Sequence, residues 1–193
     1  MTHFSSDHLE QYLIRIIEQN KLVYDFLNQV QKLKINHYYI GAGCITQTVW
    51  NHLCGMPLSY GIKDIDFVYF DDDLSEQREE ETKSEVERLF SELPFKIDVK
   101  NQARVHLWYK DRFGYEIKPY RSLEDAINTW PTTATALGAR ISGSDWDVYA
   151  PFGLEDLFGM IVRPNKAQIT KEIYEDKVRR WKGQWDKLII VEW

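Results

Sequence analysis

The residues best equipped for chemistry are Asp64 and Asp66, which open the stretch Asp64-Ile65-Asp66-Phe67-Val68-Tyr69-Phe70. Uncharged aromatic and β-branched residues follow them without interruption, so the stretch reads as a buried strand with two carboxylates at its N-terminal edge. Residues two apart on a strand share a face and lie about 6–7 Å apart along the chain. Carboxylates so placed can share one or two divalent cations, which stand roughly 4 Å apart in two-metal sites. Hard cations such as Mg2+ or Mn2+ take oxygen donors, and substrate phosphates commonly complete the shell. The plain alternative is a pair of solvated acids at a strand end, helping a turn after Gly61.

A second candidate precedes the acids. The run His37-Tyr38-Tyr39-Ile40 reads as a short strand that delivers Gly41-Ala42-Gly43 to the start of a helix beginning near Cys44. Backbone amides and the positive end of the helix favour a phosphate there, and glycines let a ligand approach the backbone. A tight strand-to-helix turn explains an isolated Gly-x-Gly equally well. A dinucleotide-binding reading fails on two counts. Its third glycine position is Thr46, and its ribose-binding acid should end the second strand, whereas Asp64 and Asp66 begin it.

The elements that must hold these residues follow from periodicity. After Ser5-Ser6-Asp7, the residues Leu9, Leu13, Ile16, Ile17, Leu22, Phe26 and Val30 recur at helical spacing, with a break expected at Asn20. The helix from Cys44 should stop at Gly55-Met56-Pro57. Beyond the aspartate strand, Asp71-Asp72-Asp73 should cap a charged helix whose Val86, Leu89 and Phe90 face inward. Residues 95–110 read as a strand running into a second strand or a bend. Residues 113–120 and 134–141 are further extended candidates, Gly143 marks a turn, and residues 147–151 resume a strand. Residues 154–162 read as a helix stopped by Pro164, and a charged helix from Lys171 ends in a turn at Gly183 before a short apolar run. The pattern is α/β, a central mixed sheet flanked by helices, expected as one unit over residues 1–193.

Composition narrows the partners. A formal charge of −6 argues against the basic surface that strong, sequence-independent nucleic-acid binding requires. A small nucleotide is compatible with that charge, because metal and backbone amides can neutralise its phosphates. The two cysteines, Cys44 and Cys54, fall in one helical segment, so a disulfide between them is not expected, and neither has zinc-site spacing. No signal-peptide pattern or membrane span is legible, and a reduced, cytoplasmic setting is expected.

Strand, glycine turn, helix, then Asp-x-Asp opening a strand resembles the core of the polymerase-β-like nucleotidyltransferase superfamily. More closely, the chain resembles small bacterial proteins known simply as nucleotidyltransferase family members. That resemblance is carried by YYIGAGCITQTVWN, GIKDIDFVYFD, KNQARVHLWY, TATALGARI and APFGLEDLFGMIVRPN, and covers nearly the whole chain. It implies transfer of a nucleoside monophosphate from a nucleoside triphosphate to an acceptor that the sequence does not name. It implies a third carboxylate on an adjacent strand, matched by Asp98, which would join Asp64 and Asp66 as metal ligand and catalytic group. Gly41 and Gly43 would admit the phosphates. The serine hydroxyl usual in this turn is absent, so Thr46 or Gln47 would substitute, and Arg104 could pair with phosphate oxygens as guanidinium geometry suits. Arg104 reads equally as one half of a structural ion pair, His106 reads best as a satisfied core histidine, and Asn101 and Gln102 carry no assignable role. The Lys177, Arg179, Arg180 and Lys182 group, diluted by Glu175 and Asp176, reads as a solvated face. Two functions stay open: catalysis, and a non-catalytic nucleotide- or metal-binding module on the same fold. A structural subunit with an aromatic interface is a third. Nothing in the sequence sets the oligomeric state.

Overall fold

A computed structural model of the chain describes residues 6–193. The helix start expected at Ser5 therefore lies outside the described residues. Two helices lead in, α1 (Ser6–Gln19) and α2 (Lys21–Val30). They break at Asn20, whose side-chain amide donates to Thr48 Oγ1 at 2.8 Å and to the Leu58 carbonyl at 3.2 Å. There follow β1 (Tyr38–Gly41), α3 (Gly43–Cys54), β2 (Asp64–Tyr69), α4 (Glu76–Leu89) and β3 (Lys96–Asn101). Next come α5 (Val105–Phe113), α6 (Leu123–Ile127), β4 (Gly138–Ser142) and β5 (Asp145–Tyr149). The chain finishes with α7 (Glu155–Phe158), β6 (Ile161–Val162), α8 (Lys171–Lys182) and β7 (Ile189–Ile190).

Five strands form one mixed sheet in the order β3-β2-β1-β4-β5, and β6 and β7 pair separately. The β2–β3 pair is parallel and joined through α4, while β1 lies antiparallel to both β2 and β4. That antiparallel β1–β2 pairing disposes of the dinucleotide fold, whose corresponding strands run parallel through a crossover. Alternation gives the sheet two unlike faces. Ile40, Ile65, Phe67, Tyr69, Ile97, Val99, Ala139 and Ile141 join the main core with residues from α1, α2 and α3. The other face carries the aspartates and, farther along, a smaller apolar patch of Tyr39, Val68, Leu123 and Ile127.

Several local expectations need correction. Residues 102–104 make a single 3-10 turn and α5 follows, so no second strand extends β3. The cause is Asn101, almost fully buried. Its Oδ1 accepts from the Asp71 and Ala103 amides, each at 3.1 Å, and its Nδ2 donates to the Asp71 carbonyl at 2.8 Å. These local bonds turn the backbone out of the ladder. Helix α4 is capped by Ser75, whose Oγ accepts from the Arg78 amide at 3.3 Å; the preceding aspartates build the turn into it. Val86 and Phe90 are buried as expected, but Leu89 faces solvent. Residues 114–120 have no regular structure, and the helix read over residues 154–162 is confined to α7. Cys44 and Cys54 are free thiols. Among the described residues, no helix is long and apolar enough to cross a membrane.

Candidate active site

Sheet register assembles the site. Asp66 on β2 is paired directly with Asp98 on β3 and with Gly41 on β1, and Gly41 with Gly138 on β4. Register partners on neighbouring strands point to the same face. The row Asp98–Asp66–Gly41–Gly138 therefore crosses the open face, with Asp64 two residues before Asp66 on that face. Helix α3 starts immediately after β1, so Gly43 lies over Asp66. A methyl group placed on Gly43 would stand 3.9 Å from Asp66 Oδ2 and 3.3 Å from Gln47 Nε2. The first amides of a helix have no acceptor within it, and no side chain caps α3. Ala42 makes the turn at φ 44°, a left-handed conformation that costs a β-carbon-bearing residue about 1–3 kcal/mol.

Electrostatics set Asp66 apart. Burial pushes its carboxyl up to about 6 from an ordinary 3.8, and Asp64 and Asp98 add to the rise, while Lys100 and Lys177 oppose it. Like charges crowded into a partly dehydrated site are what a divalent cation would relieve. Asp98 has another partner at present: Lys100, two residues along the same strand face, donates to its Oδ2. No group of three His, Cys, Asp or Glu side chains among the described residues is gathered so that it could hold a metal ion. The donor chemistry of carboxylates suits magnesium or manganese. The neighbouring Cys44 thiol is pushed well up by burial and by Asp66, which keeps it protonated and inert.

Three residues expected at the phosphates have other partners. Thr46 is fully buried, and its hydroxyl donates to the Ala134 carbonyl at 3.2 Å, so it serves the core. Gly41 does not present an open cradle, because a methyl there would overlap Trp130 Cη2 and stand 2.7 Å from Cζ3; the glycine makes room for that indole. Arg104 lies beyond the C-terminal end of β3, whereas the aspartates sit at the N-terminal ends of β2 and β3. Its Nε donates to Glu79 Oε2 at 2.8 Å and its Nη1 to the Leu74 carbonyl, which fixes it as a clamp between α4 and the turn after β3. Gln47 stands beside Gly43, and its Oε1 is buried without a hydrogen-bond partner. His106 is not the satisfied core histidine expected, since its Nδ1 is buried with no partner.

Sequence reasoning did not single out Lys100 or Trp130, and it read Lys177 as part of a solvated face. Lys100 had a signal, its period-2 spacing from Asp98. Trp130 had none, because loop packing brings it to Gly41 from a distant part of the chain.

The chain matches a family described as Nucleotidyltransferase over residues 28–190. No curated protein sequence matches it. Among solved structures, a CCA-adding enzyme head domain determined by NMR superposes with a TM-score of 0.74 at 24% identity, covering 92% of this chain and 95% of that one. A tRNA-processing enzyme in an apo form aligns at a TM-score of 0.48 and 18% identity, over 86% of this chain and 44% of that one. The first likeness shows a shared fold; the second is too slight to carry an argument.

Proposed function

The chain belongs to a nucleotidyltransferase family, and from that premise we propose that it moves a nucleoside monophosphate from a nucleoside triphosphate to an acceptor. One observation carries the reading: Asp98 and Asp66 stand in register on parallel strands, with Asp64 on the same face and the uncapped start of α3 directly above. Acids able to hold a cation beside amides able to receive a phosphate support the reading, because a metal-bound nucleotide requires that pairing.

Asp64 and Asp66 would hold Mg2+ or Mn2+, with Asp98 as third ligand once it leaves Lys100. A divalent cation supplies charge stabilisation for the attacking and leaving oxygens of an in-line displacement. The chain's own residues do the rest. The Gly43, Cys44 and Ile45 amides receive phosphate oxygens at the positive end of α3. Gln47 orients what enters beside Gly43. Asp98 is placed to take the proton of an acceptor hydroxyl as it attacks the α-phosphate and pyrophosphate departs. Lys100, freed from Asp98, stays close enough to balance the charge of the site.

The structural likeness to a CCA-adding enzyme head domain makes a polynucleotide end one acceptor for assay, beside small hydroxyl compounds. The net charge of −6 favours an acceptor held by few phosphate contacts. We read residues 1–193 as one unit of this kind. The test titrates the nucleoside triphosphates with Mg2+ against the wild type and an Asp64→Ala/Asp66→Ala variant, and follows pyrophosphate release across the acceptor panel. Metal-dependent binding lost in the variant, with release for some acceptor, is the expected result. Binding without release for any acceptor would make the protein a nucleotide-binding module, and no binding would sink both readings.

A further inference from the structure

The irregular segment between α5 and α6 is held in place by two tyrosines. Tyr115 Oη donates to the Gln168 carbonyl at 2.7 Å and meets Tyr109 Oη at 3.1 Å. Tyr120 Oη lies 2.9 Å from both Thr129 Oγ1 and Gln168 Oε1. The segment is thus tied to Gln168 at two points. Beside these ties opens a cleft of about 410 Å3, whose lining includes Tyr115, Lys118, Tyr120, Arg121, Thr129 and Gln168. Sites for small ligands span about 300–1,000 Å3, so the cleft is large enough for one.

The polar groups of this lining are unevenly used. Both tyrosine hydroxyls are committed to the bonds above. Glu116 pairs with Lys110 at 2.7 Å, and Asp125 Oδ2 accepts from the Arg121 amide at 3.0 Å in the first turn of α6. The Lys118 ammonium and the Arg121 guanidinium form no ion pair among the described residues. The Gln168 amide is oriented by the bond from Tyr120 to its Oε1, and its Nε2 has no partner among those residues. One cleft therefore gathers an ammonium, a guanidinium and an amide, all donors without an acceptor. A phosphate presents several acceptor oxygens and a full charge, which matches that set, whereas a neutral ligand would leave both cations unanswered. The tyrosine rings give the body of such a ligand an apolar wall.

Contacts tie this cleft to the aspartate row. Asn165 is buried, and its Nδ2 donates to the Asn128 and Trp130 carbonyls at 2.8 and 2.9 Å. Its Oδ1 accepts from the Ala167 amide at 3.2 Å, next to Gln168. One side chain thus fixes the Gln168 wall of the cleft to the segment 128–130. Thr129 of that segment lines the cleft, and the adjoining Trp130 indole fills the space at Gly41, the register partner of Asp66. We propose, resting on the nucleotide reading above, that the cleft binds a phosphate group of the acceptor through Lys118, Arg121 and Gln168. A site for one phosphate agrees with the net charge of −6, which disfavours an acceptor gripped along many phosphates.

The experiment follows the Gln168 side-chain amide of the full chain in proton–nitrogen correlation spectra, with ribose 5-phosphate as probe and ribose as its uncharged control. Saturable shifts with the phosphate and none with ribose are expected. Lys118→Gln/Arg121→Gln changes two exposed positions, so its melting temperature should hold while it binds ribose 5-phosphate about tenfold more weakly. Lys171→Gln, on α8, should match wild type. A ribotrinucleotide titrated alongside separates the two sources of such a phosphate: the tighter binder marks a polynucleotide end or a small phosphorylated acceptor. Equal affinity in wild type and the Lys118/Arg121 variant, or a silent Gln168 signal, would overturn the assignment. Asp64→Ala/Asp66→Ala keeps the two readings apart, since it should lose Mg-nucleotide and retain ribose 5-phosphate. Mg-nucleotide binding without a phosphate response at Gln168 would sink the cleft assignment alone. A phosphate response in a wild type that binds no Mg-nucleotide would sink the nucleotide reading, and the acceptor role of the cleft with it.

Discussion

Asp66→Asn should make the metal-free protein more stable while removing its function. The Asp66 carboxyl stands at about 6 in the folded chain against an ordinary 3.8, chiefly through burial. A shift of about two units at 1.36 kcal/mol each corresponds to about 3 kcal/mol, the cost of keeping the charged form inside the fold. Because the folded value lies above the unfolded one, folding takes up a proton between about pH 4 and pH 6. The wild type therefore carries no penalty from this group at the acid end of that window and the full penalty above it. The asparagine side chain is close in shape and neutral throughout. The stability difference between variant and wild type should be near zero around pH 4, grow through pH 6, and level off at about 3 kcal/mol in favour of the variant. Denaturant melts in chelator at half-unit pH intervals measure it, and the comparison cancels carboxylates common to both proteins. Adding Mg2+ should stabilise wild type and leave the variant unmoved. A variant less stable than wild type at pH 7, or a difference that ignores pH, would refute the account of Asp66 as a strained acid awaiting a cation.

Gly41→Ala should destabilise the fold by about 1–3 kcal/mol, because its methyl would overlap the Trp130 ring. Combining it with Trp130→Ala should recover part of that loss, and a double-mutant cycle by chemical denaturation reads the coupling. Ala42→Gly should raise stability by about 1 kcal/mol, as relief of the φ 44° strain outweighs the added freedom of the unfolded chain; an unchanged or lower melting temperature would contradict the strain. Thr46→Val should cost about 1 kcal/mol through the lost bond to the Ala134 carbonyl. Its Mg-nucleotide affinity should equal that of wild type, and a large drop in affinity at constant fold would return Thr46 to the phosphates. Arg104→Met should likewise lower stability through its lost Glu79 and Leu74 partners without altering nucleotide affinity in calorimetry.

Much of this site was legible because its key relations are local. The Asp64–Asp66 spacing needs only strand periodicity, and the glycine turn needs only a strand that ends where a helix begins. The pairing of Asp98 with Asp66 had no local signal; the family resemblance supplied it, and the parallel β2–β3 register realised it. The misplaced residues share one failing, that their types suit phosphate but their partners lie far off in sequence. Thr46 reaches a carbonyl 88 residues on, and Arg104 a carboxylate 25 residues back. A hydroxyl or guanidinium is committed by whichever acceptor the fold brings to it, and sequence spacing does not contain that information.

The Asp64–Asp66 pair and the α/β pattern around it were thus determined by the sequence alone, because alternation and helical period are properties of adjacent residues. What the pair faces was decided only in three dimensions. Sheet register set Asp98 beside it, and loop packing filled the space at Gly41 with an indole. Each of these joins segments dozens of residues apart, through contacts that exist only once the core has closed around them.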